Sequence, residues 1–362
     1  MNHTITRLFY LYFKIPPASL YISKKSLYLY KTDMLLYKSP YRPSWKDLHS
    51  PQKHLTLSFH RCYTVFIKEL GVHIMSEWFI GPNENLQDVF DLAPAGTTIR
   101  LKSGIYRQKV CIRTPDLKIF GEGAGRTVIM NGDYAKKLDP VNRPYNTFRT
   151  FTVAIAATGI SICDLTIQND AGCPEKNGQQ IALTVYGDRF HMNNCALIST
   201  QDTLFLGPLP PDLIVRYQDL LPSFLRTPEK LSSVFENSLI EGTVDFIFGG
   251  GDATFSNCEI RSVSQNGSVG YVAAPSHSQI NKSGFSFSEC RFTADPSVKK
   301  HSVFLARPWR DYGKAVFLNC SYEEHIHPLG FDKWGTTDRD KTARFYETPP
   351  QPGRVSWTKR FR

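Results

Sequence analysis

Ala253-Thr-Phe-Ser-Asn-Cys-Glu-Ile260 alternates apolar and polar residues, breaks once at an Asn before a Cys, and alternates again. The same figure appears as Gly159-Ile-Ser-Ile-Cys-Asp-Leu-Thr-Ile167, Phe190-His-Met-Asn-Asn-Cys-Ala-Leu-Ile198, Gly284-Phe-Ser-Phe-Ser-Glu-Cys-Arg-Phe292 and Ala315-Val-Phe-Leu-Asn-Cys-Ser-Tyr322. Cysteines in successive copies stand 30 to 63 residues apart, and the longest gap holds Val234-Phe-Glu-Asn-Ser-Leu-Ile240, with Ser in the Cys place. Short strands recurring at such intervals without a helical period describe a β-solenoid, in which each coil pairs with the coils before and after it. Equivalent residues then stack into ladders. A small buried Cys or Ser suits one rung of such a ladder, because a free buried thiol behaves as a small hydrophobe. The expected fold class is therefore all-β.

Upstream, Leu86, Val89, Phe90 and Ala93 recur at helical spacing, which predicts an amphipathic N-terminal capping helix over Glu77 to Ala93. An uncapped coil end would offer unpaired backbone groups to other chains. Strands are predicted at Thr98–Leu101, Val110–Ile112, Lys118–Phe120 and Thr127–Met130, between Gly-rich turns. The insert 207–233 departs from the repeat, with Pro208, Pro210, Pro211, Pro222 and Pro228 around a Leu-rich piece, and is predicted to leave the coil as a lobe.

The chain has 362 residues, 41% apolar, enough for a large core. Its net charge of +10 is concentrated: residues 1–74 hold 11 Lys and Arg against 3 Asp and Glu, which leaves 32 against 30 in residues 75–362. A nearly neutral body has little long-range field, so an acidic partner must be met by locally placed groups, and no nucleic-acid partner is expected. Residues 1–74 also hold 8 of the 17 tyrosines and a single glycine, with no clean period. They are expected to lie outside the fold, as translated upstream sequence ahead of a true start at Met75 or as a disordered basic extension. No run of about 18 apolar residues exists, so no membrane span is expected. The eight cysteines contain no Cys-x-x-Cys pair, which argues against zinc and dithiol chemistry and for a structural role.

Two acid-bearing segments stand apart from the ladder, Ser199-Thr-Gln-Asp-Thr-Leu204 and Glu241-Gly-Thr-Val-Asp-Phe-Ile-Phe-Gly249. Asp245 sits between Val244 and Phe246-Ile247-Phe248, where an unpaired carboxylate is costly. Alone, either Asp reads as a turn cap. Two of them on adjacent coils fit one groove, with unlike surroundings that separate their pKa values into acid and nucleophile. Arg307, in Leu305-Ala-Arg-Pro-Trp309, suits a guanidinium that keeps a carboxylate ionised and aimed, and Trp309 offers a flat face for a sugar ring. Gln179 and Gln180 offer amide donors for an oxyanion.

Gly104-Ile-Tyr106, Gln179-Gln-Ile-Ala-Leu183, Gly187-Asp-Arg189, Gln201-Asp-Thr203, Gly242-Thr-Val-Asp-Phe-Ile-Phe-Gly249 and Leu305-Ala-Arg-Pro-Trp309 follow one another in the order found in pectinesterases. The chain resembles that family, in its bacterial-type form, over about residues 78 to 357. The resemblance implies a right-handed parallel β-helix and the hydrolysis of methyl esters of pectin or oligogalacturonides by a monomer, without metal or cofactor. It implies Asp245 as nucleophile, Asp202 as general acid and then base, Gln201 as an oxyanion donor, and Arg307 as the residue that holds the nucleophile. Counting back from Gly187-Asp-Arg189 selects Gln179 as the other oxyanion donor and puts Gln180 at a position the family fills with Ala. Trp309, Trp334 and Tyr106 are assigned to sugar binding. The chain departs from the family in Gly104-Ile-Tyr-Arg-Gln108, where the family has Gly-x-Tyr-x-Glu, and in Ala306, where Gly is usual. Relatives continue with a closing helical tail beyond Ser356-Trp357, so misplaced gene boundaries are expected at both ends. A start at Met75 leaves no export signal and implies a cytoplasmic enzyme; otherwise a secreted one is expected.

Lyases and glycosidases of the same polymer share this architecture, so fold alone does not choose the reaction. A calcium-dependent lyase needs an acidic metal cluster, and none is visible in the sequence. An inverting hydrolase needs two carboxylates around a water, whereas the glutamines suit ester chemistry better. A non-catalytic binder and an esterase or thioesterase-like relative with another substrate complete the alternatives.

Overall fold

The computed structural model describes residues 20–22, 27–29, 77–226, 231–264 and 266–359. Within residues 1–76, a separate unit, the strands Leu20–Ile22 and Leu27–Leu29 pair antiparallel. The expectations for Met75 and for the rest of residues 1–74 fall outside the described residues.

From Glu77 onward the chain visits three parallel sheets in turn, of ten, eight and seven strands. One full coil runs Phe190–Asn193, Ala196–Ile198, Leu204–Leu206, and each strand pairs with its counterpart one coil earlier and one coil later. This is the solenoid that the repeat predicts. The turn between the ten- and eight-stranded sheets takes a single residue in the left-handed region, with φ of 58° at Asp164, 52° at Asn194, 49° at Asn237, 52° at Asn257, 55° at Glu289 and 52° at Asn319. Asn and Asp visit that region at the lowest cost among residues with a Cβ. Their side chains also form a ladder: the Asn257 amide donates to Asn237 Oδ1, and the Asn237 amide to Asn193 Oδ1, both at 2.8 Å.

Immediately after the turn, Cys195, Ser238, Cys258 and Cys290 point into the core, each linked by a backbone hydrogen bond from the next coil. Cys320 closes the row, half-buried. The first copy differs from the sequence reading. Cys163 stands in register with Asn193, two residues before the rung and half-buried, and Leu165 occupies the rung itself. Phe235, Phe255, Phe287 and Phe317 stack alongside with centroids 4.9, 4.6 and 4.9 Å apart and planes within 13°. Such stacking adds about 0.5–1.5 kcal/mol per pair beyond the area buried.

The capping helix is shorter than predicted. Glu77–Ile80 is the first strand of the ten-stranded sheet and pairs with Thr98–Leu101, while the helix spans Leu86–Leu92. Gly81-Pro82 separates the two, because proline disfavours helical backbone in the residue before it. Asn85 caps the helix, accepting from the backbone N–H of Gln87 at 3.0 Å and of Asp88 at 3.3 Å. Leu86 and Phe90 face the coil end and are fully buried. The predicted strands Thr98–Leu101, Val110–Ile112 and Lys118–Phe120 form, and the fourth runs one residue further, to Asn131.

The insert contains a short helix, Pro211–Arg216, and a 3-10 turn, Ser223–Arg226, and the chain rejoins the ten-stranded sheet at Ser232, one residue inside the predicted boundary. Leu209, Leu213, Leu221 and Leu225 are buried in a second apolar cluster with Phe205, Phe248, Ala154 and Ala274 of the seven-stranded sheet. The lobe is thus seated on the outer side of the sheet that carries both acid-bearing segments.

Candidate active site

Asp202 lies two residues before strand Leu204–Leu206, and Asp245 lies in strand Val244–Gly249. These strands are adjacent, with Leu204 opposite Ile247, so the two acids sit level on consecutive coils. The Asp202 N–H donates to the Val244 carbonyl at 3.1 Å. Asp245 falls where the register against Gly270–Pro275 slips, between Val244 and Ile247. A bulge of this kind re-aims a side chain out of strict alternation. Both acids take left-handed backbone, φ 65° at Asp202 and 50° at Asp245, and both are buried.

Arg307 grips Asp245 in a two-point pair, Nε to Oδ1 at 2.8 Å and Nη2 to Oδ2 at 2.7 Å. Its guanidinium lies between two rings, 3.7 Å from the Tyr271 centroid and 4.1 Å from that of Trp334. Tyr271 in turn stacks on Phe304 at 5.5 Å. The planar cation is therefore clamped on both faces, and the fork geometry fixes the carboxylate in the same plane.

Burial and the negative charge of Asp245 push the Asp202 carboxyl well above the usual carboxylate range, against the weaker pull of Arg307 and a hydrogen bond from the Gln201 side chain. Burial also pushes Asp245 up, but the hydrogen-bonded guanidinium opposes it. Arg307 itself is held above its ordinary value by that pairing, despite its own burial. The two acids are consequently unlike: Asp202 is raised well above the usual carboxylate range, while Asp245, raised less, is the one paired with the Arg307 guanidinium.

The glutamine pair divides. Gln180 is buried, its amide donating to the carbonyls of Gly172 at 2.6 Å and Gly178 at 3.3 Å, so it is committed to the loop. Gln179 is half-buried, and its side chain makes no hydrogen bond to the described residues. The Gln180 N–H donates to the Gln201 carbonyl at 3.0 Å, which sets the two glutamine-bearing segments side by side. The geometry thus favours Gln179 over Gln180 as a donor to something outside the protein.

Trp309 follows Arg307 and meets Phe248 edge-on at 5.7 Å. One other expectation requires correction. Tyr106 has no exposed surface; its hydroxyl proton is shared by the carbonyls of Ile80 at 2.8 Å and Lys102 at 2.9 Å, so it is a core residue near the capping helix and has no access to a sugar. Trp334 is half-buried and has the Arg307 guanidinium over one face of its ring. Tyr271 was missed because no motif surrounds it; its only signal is a place between Val244 and Phe304 in the stack of coils.

The sequence model named Pectinesterase matches residues 80–207 and 215–360. Pectinesterase 3 of Citrus sinensis is 31% identical over 254 residues, 67% of this chain but 38% of that protein's length. Among solved structures, a pectin methylesterase in complex with hexasaccharide VII superimposes with a TM-score of 0.65 at 28% identity, covering 77% of this chain and 89% of that one. Pectin methylesterase PemA from Erwinia chrysanthemi gives 0.67 at 26% identity, covering 80% and 94%. Right-handed parallel β-helix architecture, ordered motifs and matches over most of residues 77–359 agree: the chain belongs to the pectinesterase family.

Proposed function

We propose that the protein hydrolyses the methyl esters of polygalacturonate or oligogalacturonides and releases methanol. The observation that carries this reading is a pair of level, buried carboxyls with unlike proton affinity, one of them clamped by Arg307. Solved relatives include pectin methylesterases, two of them in complex with a hexasaccharide.

In this mechanism an Asp245 oxygen attacks the ester carbonyl carbon, and the carbonyl oxygen takes the developing negative charge. Amide N–H groups of Gln179 and Gln201 donate to it. Asp202 delivers its proton to the methoxy oxygen, methanol departs, and galacturonate remains joined to Asp245 as an anhydride. Asp202, now ionised, takes a proton from water as that water attacks the acyl carbon. The bond to Asp245 breaks, Asp245 returns as a carboxylate, and Asp202 is protonated again. Arg307 keeps Asp245 ionised and aimed throughout, and its ring clamp prevents the fork from rotating.

Methanol release from methyl-esterified pectin, measured beside the ultraviolet absorbance of unsaturated products and a count of new reducing ends, tests the reaction. Methanol alone is expected. Unsaturation would indicate a lyase and new reducing ends a glycosidase.

A further inference from the structure

Among the described residues, an ion pair joins the lobe that the insert builds to the segment carrying Arg307 and Trp309. Asp212, in helix Pro211–Arg216, accepts from Arg310 Nη2 at 2.8 and 3.0 Å and from Nε at 3.3 Å. Arg310 also donates from Nη1 to the Trp309 carbonyl at 2.8 Å, and its guanidinium lies 5.1 Å from the Trp309 ring centroid. One face of Trp309 is thereby capped while Phe248 meets the ring edge-on at 5.7 Å. The helix bearing Asp212 is itself fixed, because Leu209 and Leu213 are buried on the seven-stranded sheet and the Tyr186 hydroxyl donates to the Leu225 carbonyl at 3.2 Å. Residues 208–214 fall in the break between the two segments that the family's sequence model matches, so Asp212 lies outside what that model describes.

We propose that Asp212, acting through Arg310, is a positioning residue for Trp309, and that the lobe thereby sets how tightly the enzyme grips the sugar unit beside the reacting ester. The proposal rests on the ester-hydrolase reading for the identity of the substrate. A Trp ring held at one edge only can rock about its side-chain torsions, and each orientation it gains weakens a sugar-stacking face. The capping guanidinium removes that freedom and leaves a single face for a ligand. An ion pair with a half-exposed carboxylate adds little to stability, so its contribution is orientation and not fold.

The test compares wild type with Asp212→Ala, Asp212→Glu and the exchange Asp212→Arg/Arg310→Asp, using methanol release from methyl-esterified oligogalacturonides. Thermal midpoints and calorimetric binding of the unesterified oligogalacturonate are measured on the same proteins. Asp212→Ala is expected to raise KM about tenfold, part of the ~100-fold that misplacing a substrate-positioning group costs. Its kcat should change less than its KM, and its thermal midpoint should stay at the wild-type value. Asp212→Glu is expected to recover most of the loss and the exchange to recover none, because it removes from position 310 the guanidinium that caps Trp309; binding of the unesterified oligomer should weaken in Asp212→Ala in parallel with KM. Unchanged KM and binding in Asp212→Ala would overturn the proposal. So would a loss that tracks a lowered thermal midpoint and is not recovered by Glu. If wild type released no methanol, the ester-hydrolase reading would fail, and the binding measurements would still decide whether Asp212 governs the sugar-stacking face.

Discussion

Asn257 and Asp245 have almost the same backbone, φ 52° and 50°, and opposite fates. Asn257 is exposed and donates to Asn237 of the coil before, which donates in turn to Asn193 one coil further back. Asp245 is buried at a register slip that no neighbouring coil copies, and its charge is met by one guanidinium. Left-handed backbone serves as a repeating corner where the side chain can reach water and its neighbours. It serves as a device for aiming a functional group where the side chain is turned into a crowded, low-dielectric setting. In this fold the repeat carries architecture, and the departures from the repeat hold the candidate site.

The largest effect should come from breaking the unique member of the comparison. Asp245→Asn is expected to lower kcat for methanol release by about four to six orders of magnitude, as removal of a catalytic nucleophile does. Asp202→Asn should lower it by about two to four orders, the share general acid–base catalysis supplies. That same change should make the protein more stable at neutral pH. Because the folded pKa of Asp202 is raised, folding is favoured most below the unfolded pKa, and stability is lost as pH rises from there through the folded pKa. An amide cannot ionise and escapes the loss, so thermal unfolding at pH 7 should show a higher midpoint for the variant. The same raised pKa predicts that kcat/KM of the wild type declines on the alkaline side as Asp202 gives up its proton, which a pH–rate profile measures.

On the architectural side the effects shift from turnover to stability. Phe255→Ala removes a ring stacked between Phe235 and Phe287 and should cost about 3–5 kcal/mol in denaturant titrations. Its kcat/KM, measured well below the unfolding transition, should stay near wild type. The smallest effect belongs to the corner: Asn257→Ala should cost about 1–2 kcal/mol, the penalty of left-handed backbone for a residue with a Cβ and no local hydrogen bond. Asn257→Gly should recover most of that backbone penalty.

Much of this division was legible in the sequence. Six copies of one pattern identify the coil, since each repeats the same burial problem and solves it with the same residues. Asp245 stood out as a charge inside an apolar run, and Asp202 and Arg307 through segments that depart from the ladder; the structure brings Asp245 and Arg307 into contact and sets Asp202 level with Asp245 on the adjacent coil. Long-range packing was not legible. Tyr271 becomes relevant only through a ring face 3.7 Å from a guanidinium supplied 36 residues later in the chain. Trp334 was visible in the sequence as an aromatic ring, but its contact with the Arg307 guanidinium was not. Tyr106 shared a motif with functional segments, yet its hydroxyl finds two backbone carbonyls near the capping helix. The helix start at Leu86 was obscured because Trp78-Phe-Ile80 has apolar residues compatible with either period, and pairing with Thr98–Leu101 decided the matter.

The central claim is that Asp245 attacks the ester and Asp202 manages the protons. It is tested most directly in Asp202→Asn with an oligogalacturonide activated as its nitrophenyl ester, whose leaving group needs no proton. The account predicts a burst of about one nitrophenol per enzyme, because acylation proceeds while the base for hydrolysis is missing. Mass spectrometry of the quenched protein should then locate the added acyl group on the peptide containing Asp245. Steady turnover without a burst, or an acyl group on any other residue, would contradict it.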